Sequence, residues 1–166
     1  LRCPIPLSRP FGRCPQKSRR RGRSPEQIAQ RLRSLWRDYD APCSYGVLLL
    51  ADGDRMGELL DKATTIEQHQ NITRALTKFA GSVPGIMREH RGHTIYAGGD
   101  DVLGFVPLNQ AYACAQALAQ HFADALQKPA TQLQVERPPP LSVGLAIAHI
   151  NTPLGYIRSL AARAER

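Results

Sequence analysis

Two short acidic segments carry the residue types that metal-dependent chemistry requires. One is Asp52-Gly53-Asp54, and the other is Gly98-Gly99-Asp100-Asp101. Carboxylates gathered at one place repel one another unless a cation binds there, and hard divalent ions such as Mg²⁺ take oxygen ligands and keep substrate phosphate oxygens as well. Two such ions, about 3.5–4 Å apart, hold the attacking and leaving oxygens in phosphoryl and nucleotidyl transfer. The segments therefore predict a metal-dependent site if the fold brings them together.

Three stretches of sequence predict the strands that position these segments. The continuous apolar run Tyr45–Ala51 is typical of a strand buried on both faces, and it ends at the first acidic segment. Residues 94–97 and 102–106 predict a hairpin whose turn is the second acidic segment. Residues 142–150 alternate large side chains with Gly and Ala, which predicts a last strand with one face suited to close helix packing.

Helical periodicity fills the intervals between the predicted strands. Residues 65–89 predict a long helix with a kink or break at Gly81 and Pro84, because proline disrupts the helical hydrogen-bond pattern. Asn109 is the expected cap of the next long helix, which Lys128-Pro129 should end. The resulting order, β-α-β-β-α-β, predicts an α+β fold of the ferredoxin-like type with an antiparallel sheet.

This topology predicts that the two acidic segments meet. A right-handed crossover makes the first two strands parallel, and the third strand lies between them and antiparallel to both. The end of the first strand and the hairpin turn then share one edge of the sheet. Asp52 and Asp100 are the expected metal ligands, Asp101 is a further ligand or a proton acceptor, and the carbonyl of Gly53 is an additional ligand.

The residues beside the acids predict nucleotide binding. Gly98 and Gly99 lack a Cβ, so a phosphate or sugar could approach their backbone closely. The segment Asp54-Arg55-Met56-Gly57 leads into the next element, and its amide groups could bind phosphate. For Asp54 an alternative is capping of the following helix.

The positive charge of the chain lies outside this predicted domain. Residues 1–45 contain eleven Lys and Arg against three Asp and Glu, whereas residues 46–166 contain eleven of each. Residues 1–23 are expected to be a basic, disordered tail, which is either an RNA-binding arm or a solvated segment foreign to the domain. Residues 24–44 predict a leading helix capped by Ser24, followed by a linker, and residues 45–166 form the predicted domain.

Several classes of protein are excluded by simple patterns. No apolar run approaches the length of a membrane span, and no segment resembles a signal peptide. The four cysteines include no C-x-x-C pair, so a reducing, cytoplasmic setting is expected without a disulfide framework or zinc site. No adjacent His-Asp pair, serine nucleophile elbow or G-x-x-x-x-G-K-[ST] loop occurs.

Three sequence blocks resemble a known family. YAGGDDVLGFVPL (Tyr96–Leu108), LLADGDRMGELL (Leu49–Leu60) and LSVGLAIAHINTPL (Leu141–Leu154) are similar to the large catalytic subunit of type III CRISPR RNA-guided effector complexes, most of all to subtype III-B. The resemblance extends from about Ser24 to Arg166. It implies a palm domain related to nucleic-acid polymerases and GGDEF cyclases.

The resemblance also implies an activity and a set of partners. In the family, the palm converts ATP to cyclic oligoadenylate when the complex binds target RNA, and this second messenger activates defence nucleases. Asp52 and Asp100 would hold two Mg²⁺ or Mn²⁺ ions with the carbonyl of Gly53, Asp101 would complete the GGDD site, and Gly98 and Gly99 would face ATP. The implied partners are the other subunits, guide RNA, target RNA and a second palm domain.

The family pattern leaves alternatives open. An intact subunit is several times longer than this chain and usually has two palms, so a fragment with one palm, cut off within its last helix at Arg166, is expected. A diguanylate cyclase is one alternative, although the motif here is GGDD and not GGDEF. A non-catalytic scaffold or RNA-binding module is another.

Overall fold

The computed structural model describes residues 24–39 and 43–165, and the predicted basic tail lies outside them. The chain divides after Pro42 into two units. In the first unit, helix α1 spans Pro25–Tyr39. The backbone N–H of Gln27 donates to the Ser24 hydroxyl at 3.3 Å, and the N–H of Ser24 donates to Gln27 Oε1 at 3.1 Å. These reciprocal bonds confirm the predicted start of this helix.

A four-stranded antiparallel sheet forms the second unit together with four helices. Its strands are β1 (Tyr45–Gly53), β2 (His93–Gly98), β3 (Asp101–Pro107) and β4 (Leu141–His149), in the order β2-β3-β1-β4. β3 pairs antiparallel with both β1 and β2, so β1 and β2 run parallel with β3 between them. The predicted α+β, ferredoxin-like topology is therefore confirmed.

Helices pack on both faces of the sheet. They are α2 (Met56–Asp61), α3 (Ile66–Glu89), α4 (Ala111–Gln132) and α5 (Leu154–Glu165). α3 and α4 pack on one face, where the rings of Phe79 and Phe122 meet edge to face with centroids 5.0 Å apart. α5 packs on β4 and β1 from the other face. Among the described residues, no helix is both long and apolar enough to cross a membrane.

The two apolar faces of β1 explain its continuous hydrophobic sequence. Val47, Leu49 and Ala51 belong to the core beneath α3 and α4. Leu48 is buried in the smaller cluster beneath α5, and Leu50 packs against that cluster. Because neighbouring residues point to opposite faces and both faces are covered, no polar residue interrupts the strand before Asp52.

The predicted break in the long helix is wrong. α3 continues through Gly81 and Pro84 as one helix of 24 residues. Val83 and Met87, on either side of the proline, are both fully buried against the sheet. This packing keeps the helix continuous and outweighs the roughly 3 kcal/mol that an interior proline costs.

The predicted boundaries of the next helix are also wrong. A short 3₁₀ turn spans Leu108–Gln110, so Asn109 lies in that turn, and α4 begins at Ala111 without a side-chain cap. At the other end, α4 continues through Pro129 to Gln132. Pro129 is buried there, and the apolar contacts that it gains offset the hydrogen bond that it cannot donate.

Candidate active site at the end of the first strand

The carboxyl groups of Asp52 and Asp101 interact across two adjacent strands. The last registered pair between β1 and β3 joins Ala51 to Val102, so Asp52 and Asp101 follow as the next residues across the ladder. Both lie on the sheet face that carries α5, because Asp52 is two residues beyond Leu50, which packs toward that helix. The two carboxyl groups are close enough to repel each other when both are charged and to share a hydrogen bond when one of them holds a proton.

Asp100 approaches the end of β1 from the other side of the sheet. A Cβ built on Gly53 would lie 2.8 Å from the Cβ of Asp100, 2.9 Å from Phe122 Cζ and 3.0 Å from Met56 Cγ. Phe122 belongs to α4, so this contact is on the face opposite to α5. The hairpin turn therefore places its two consecutive aspartates on either side of the end of β1.

The pKa of Asp101 reports the crowding of acids at this edge. Partial desolvation is the main cause that raises the pKa of the Asp101 carboxyl above its ordinary value, although the residue remains exposed. The charge of Asp52 and a hydrogen bond with Asp52 raise the pKa further, followed by the charges of Asp100 and Glu165. Asp52, Asp100 and Glu165 therefore all place negative charge near the Asp101 carboxyl.

Glu165 is an acidic neighbour that the sequence analysis missed. It lies in the last turn of α5, which crosses β4 at Gly144. A Cβ on Gly144 would overlap with the carbonyl oxygen of Ala161 and lie 2.7 Å from the backbone nitrogen of Glu165. The alternation of small residues in β4 predicted close helix packing, which is confirmed. It did not predict that this packing brings Glu165, at the end of α5, close to the site.

The segment after β1 has a structural role that is visible in its hydrogen bonds. Asp54 accepts a bond of 2.5 Å from the hydroxyl of Ser142, and its N–H donates to the carbonyl of Pro140 at 2.9 Å. Asp54 does not cap α2. The N-cap residue of this helix is Arg55, which has left-handed backbone geometry at φ 54°, and no side chain caps the helix. The alternative of a helix-capping Asp54 is therefore wrong, because the side chain points to β4 instead.

Two further residues of this segment differ in exposure. The side chain of Met56 is buried, so Met56 could present only its backbone to a ligand, whereas Gly57 is exposed with open space around its Cα. Arg55 is exposed as well. A phosphate-binding role for residues 54–57 stays a prediction.

The two glycines of the hairpin have different surroundings. Gly99 has φ +64° and open space where a side chain would be, so it permits the tight turn and leaves its backbone approachable. Gly98 pairs with Asp101, and the ring of Tyr96 lies over its Cα. Tyr96, which is 54% exposed, is a second neighbour of the acids that the sequence analysis did not single out.

Comparison with known protein families identifies this architecture. The family model described as Cas10/Cmr2, second palm domain, matches residues 44–166. The chain belongs to the Cas10/Cmr2 family. This membership confirms the resemblance found in the sequence, and it specifies that the matched palm is the second one.

A known Cmr2 subunit is similar to this chain in sequence. The chain is 23% identical over 154 residues to the CRISPR system Cmr subunit Cmr2 of Pyrococcus furiosus, an alignment covering 78% of this chain. The alignment covers 17% of the relative, so the chain spans a small part of the length of the curated subunit it matches.

Solved structures share the fold of this Cas10/Cmr2 palm. The adenylyl cyclase CyaB from Pseudomonas aeruginosa superposes with a TM-score of 0.50 and 16% identity over 63% of this chain and 56% of that chain. The diguanylate cyclase SiaD from Pseudomonas aeruginosa, solved with its activator SiaC, superposes with a TM-score of 0.50 and 19% identity over 84% and 52%. At these identities the likeness shows that the palm has a nucleotidyl-cyclase fold.

We call the end of β1 with Asp52, Asp100 and Asp101 the acidic edge. Its oxygen donors suit a hard divalent ion whose remaining ligands come from the substrate. Across residues 24–39 and 43–165, no three His, Cys, Asp or Glu side chains are grouped so as to hold a metal ion by themselves. Mg²⁺ is commonly bound through one or two carboxylates, with waters and substrate phosphates as its other ligands. The facing carboxyl groups of Asp52 and Asp101 match that donor chemistry, and their repulsion is what a cation would relieve.

The acidic edge is distinct from a groove in the helical layer of the Cas10/Cmr2 palm. This groove, of about 670 Å³, lies between α3 and α4. Arg74, Lys78 and Lys128 line it, and none of the site aspartates does. The candidate active site lies instead at the edge of the sheet where β1 ends and β3 begins.

Proposed function

We propose that this palm performs metal-dependent nucleotidyl transfer in the intact Cas10/Cmr2 subunit, converting ATP to cyclic oligoadenylate. The observation that carries the proposal is the interaction between the carboxyl groups of Asp52 and Asp101 at the end of β1. Membership of the Cas10/Cmr2 family and the cyclase-like fold support the same reaction class.

In the proposed reaction, a ribose hydroxyl of one nucleotide attacks the α-phosphorus of another. The bond from that phosphorus to the bridging oxygen of the pyrophosphate breaks, pyrophosphate leaves, and the proton of the attacking hydroxyl passes to water. Asp52 and Asp101 would hold two Mg²⁺ or Mn²⁺ ions, with the carbonyl of Gly53 and the carboxylate of Asp100 as further donors. When bound, the ions lower the pKa of the attacking hydroxyl and neutralise the charge that develops on the phosphate.

The protein itself contributes positioning. The close packing of Asp100 over Gly53 holds the hairpin turn against β1, so the carboxylates keep their spacing without a bound ion. Gly99 leaves the turn backbone open to a phosphate or ribose, and Gly98 lies in the same row as Asp101. Because charges of this kind are already in position, no free energy is needed to rearrange them during the reaction.

The partners of this palm follow from the family. The relative is a subunit of a CRISPR system, and we infer that this chain likewise acts within a type III effector complex of subtype III-B, in the cytoplasm. The other subunits, guide RNA and target RNA would act through that complex. A second palm domain would supply further walls of the site at the acidic edge.

The test uses the full-length subunit in its complex with guide RNA, target RNA, Mg²⁺ or Mn²⁺ and labelled ATP. The double variant Asp100→Ala/Asp101→Ala should lose at least about a hundredfold in product, because metal charge stabilisation is worth several kcal/mol and about 1.4 kcal/mol is tenfold. Asp124→Ala is the matched control, since Asp124 is exposed on α4 and, among the described residues, its carboxylate accepts a bond from Gln120 alone. Unchanged product in the double variant would reject the proposal.

Two further arms of this test separate the alternatives. Labelled GTP replaces ATP in one arm, and turnover of GTP in preference to ATP would indicate a diguanylate cyclase. In the other arm, the wild-type complex is assayed for target-RNA binding in the same buffer. RNA binding with no turnover of either nucleotide would indicate a non-catalytic scaffold.

A further inference from the structure

Within residues 43–165, no helix covers the half of one sheet face that lies next to the acids. α5 packs on β4 and β1, whereas the same face of β2 and β3 presents Tyr96 and Phe105, which are 54% and 40% exposed. Tyr96 belongs to this face because its cross-strand partner Leu103 packs toward the cluster beneath α5. Asp101 also lies on this face, so an exposed aromatic surface borders the acidic edge.

The hydroxyl of Tyr96 is directed along β2 toward the hairpin turn. A Cβ on Gly98 would overlap with Tyr96 Oη and lie 2.7 Å from Tyr96 Cζ. Because Gly98 has no side chain, the Tyr96 ring can lie along β2 with its hydroxyl over Gly98. Within residues 24–39 and 43–165, no hydrogen-bond partner of this hydroxyl is found.

The hydroxyl, Asp101 and Asp52 form one row across three strands. Gly98, over which the hydroxyl lies, is the registered partner of Asp101, and Asp101 faces Asp52 on the next strand. The turn residue beside this row, Gly99, leaves open space above its backbone. The Tyr96 hydroxyl is the neutral hydrogen-bond donor of this row. Unlike a carboxylate, it can donate to a phosphate or ribose oxygen without electrostatic repulsion.

We infer that Tyr96 is a nucleotide-positioning residue, whose hydroxyl donates a hydrogen bond to a phosphate or ribose oxygen of the nucleotide held at Asp52 and Asp101. This inference rests on the proposed function and deepens it, because it assigns a substrate contact outside the GGDD motif. The bond holds the nucleotide in register with the carboxylates and takes no proton in the reaction. Tyr96 therefore acts mainly on nucleotide affinity.

The decisive variant is Tyr96→Phe in the full-length subunit within its RNA-bound complex. It removes only the hydroxyl and keeps the exposed ring. The KM for ATP and the equilibrium Kd of a fluorescent ATP analogue should both rise roughly tenfold, the effect of losing one hydrogen bond to a charged oxygen. The kcat should stay within about threefold, since the bond is made to the bound nucleotide before and during the reaction.

A matched tyrosine provides the control. Tyr112 is 71% exposed near the start of α4, and its hydroxyl accepts a bond from Gln116 at 3.3 Å. Tyr112→Phe should leave KM, kcat and Kd unchanged. An equal effect of both substitutions would overturn the inference, because it would show a general response to losing a surface hydroxyl.

Gly98→Ala tests the same contact from the other side. Its methyl group would collide with the ring and move the hydroxyl away from the turn. It should raise KM, and Tyr96→Phe added to it should raise KM by less than twofold more, because the bond is already lost.

The outcomes distinguish this inference from the function on which it rests. If Tyr96→Phe kept the wild-type KM and Kd while Asp100→Ala/Asp101→Ala stopped product formation, Tyr96 would have no positioning role and the proposed function would stand. If the wild-type complex itself turned over no nucleotide, the proposed function would fail, and the inference with it.

Discussion

Gly53 and Asp100 pack so closely that position 53 has no room for a side chain. A Cβ on Gly53 would lie 2.8 Å from the Cβ of Asp100, well inside the normal contact distance. Phe122 and Met56 close the remaining space around it. The glycine between the two first-strand aspartates is thus a packing requirement, and it sets how near the hairpin turn comes to β1.

Gly53→Ala should destabilise the chain and displace the hairpin turn. The added methyl group has to push aside the Asp100 backbone or the buried ring of Phe122, and overpacking of this kind typically costs about 1–3 kcal/mol. Urea denaturation of the chain measures the change. Gly81→Ala in α3 is the control, since nothing lies within 4 Å of its Cβ position and alanine favours a helix. Equal stability of the two variants would contradict this packing argument.

Asp101→Asn should stabilise the chain at neutral pH in the absence of divalent ions. The pKa of Asp101 is raised from its ordinary 3.8, first by desolvation and then by Asp52, so the folded state holds this proton more tightly than the unfolded state. The stability that the neutral carboxyl contributes is complete below the unfolded pKa and is lost as the pH rises through the folded value. The neutral amide of asparagine avoids that loss.

Thermal unfolding at several pH values measures this effect of Asp101→Asn. The gain at pH 7 should be at most about 1 kcal/mol, because solvent screens an exposed pair, and it should vanish below pH ~3.5. Asp124→Asn should show no comparable gain, since its carboxylate accepts a bond from Gln120 and faces no acidic partner among the described contacts. A variant that is less stable than wild type at pH 7 would show that Asp101 does not experience net repulsion.

Cys114 should resist thiol reagents until the chain unfolds. Burial raises its pKa to about 11, and its thiol is fully buried and donates a weak bond to Met87 Sδ at 3.4 Å. Cys43 is a free, exposed cysteine and should react at pH 8 within minutes, because the reagent reaches its thiol without unfolding. Mass spectrometry after alkylation identifies the modified residue, and rapid labelling of Cys114 under native conditions would contradict its burial.

The strand order and the faces of the strands were predictable from the sequence. The unbroken apolar run of β1, the alternation in β4 and the hairpin around GGDD each have a period or a turn signal that depends only on neighbouring residues. Once these elements are recognised, the handedness of the crossover leaves one topology, which the sheet has. The approach of the hairpin turn to the end of β1 follows from that topology.

Helix boundaries were not predictable in the same way. Pro84 and Pro129 are local signals for a break, yet both lie inside continuous helices. Their effect depends on whether the flanking residues are buried by the sheet and by the neighbouring helix. That burial is decided by tertiary contacts, which outweigh intrinsic preference.

The amino-acid sequence by itself determined the family, the topology and the segments that contain the acids, because motif types and hydrophobic periods are properties of the chain alone. Only the tertiary structure decided that Asp101 is the aspartate that faces Asp52, that Asp54 is bonded to Ser142, and that Glu165 and Tyr96 border the site. The physical reason is that these relationships join residues far apart in the chain, or depend on which face of a strand a side chain takes. Such distances are set by how closely strands and helices pack, above all at Gly53, Gly98 and Gly144, where a missing side chain permits the contact.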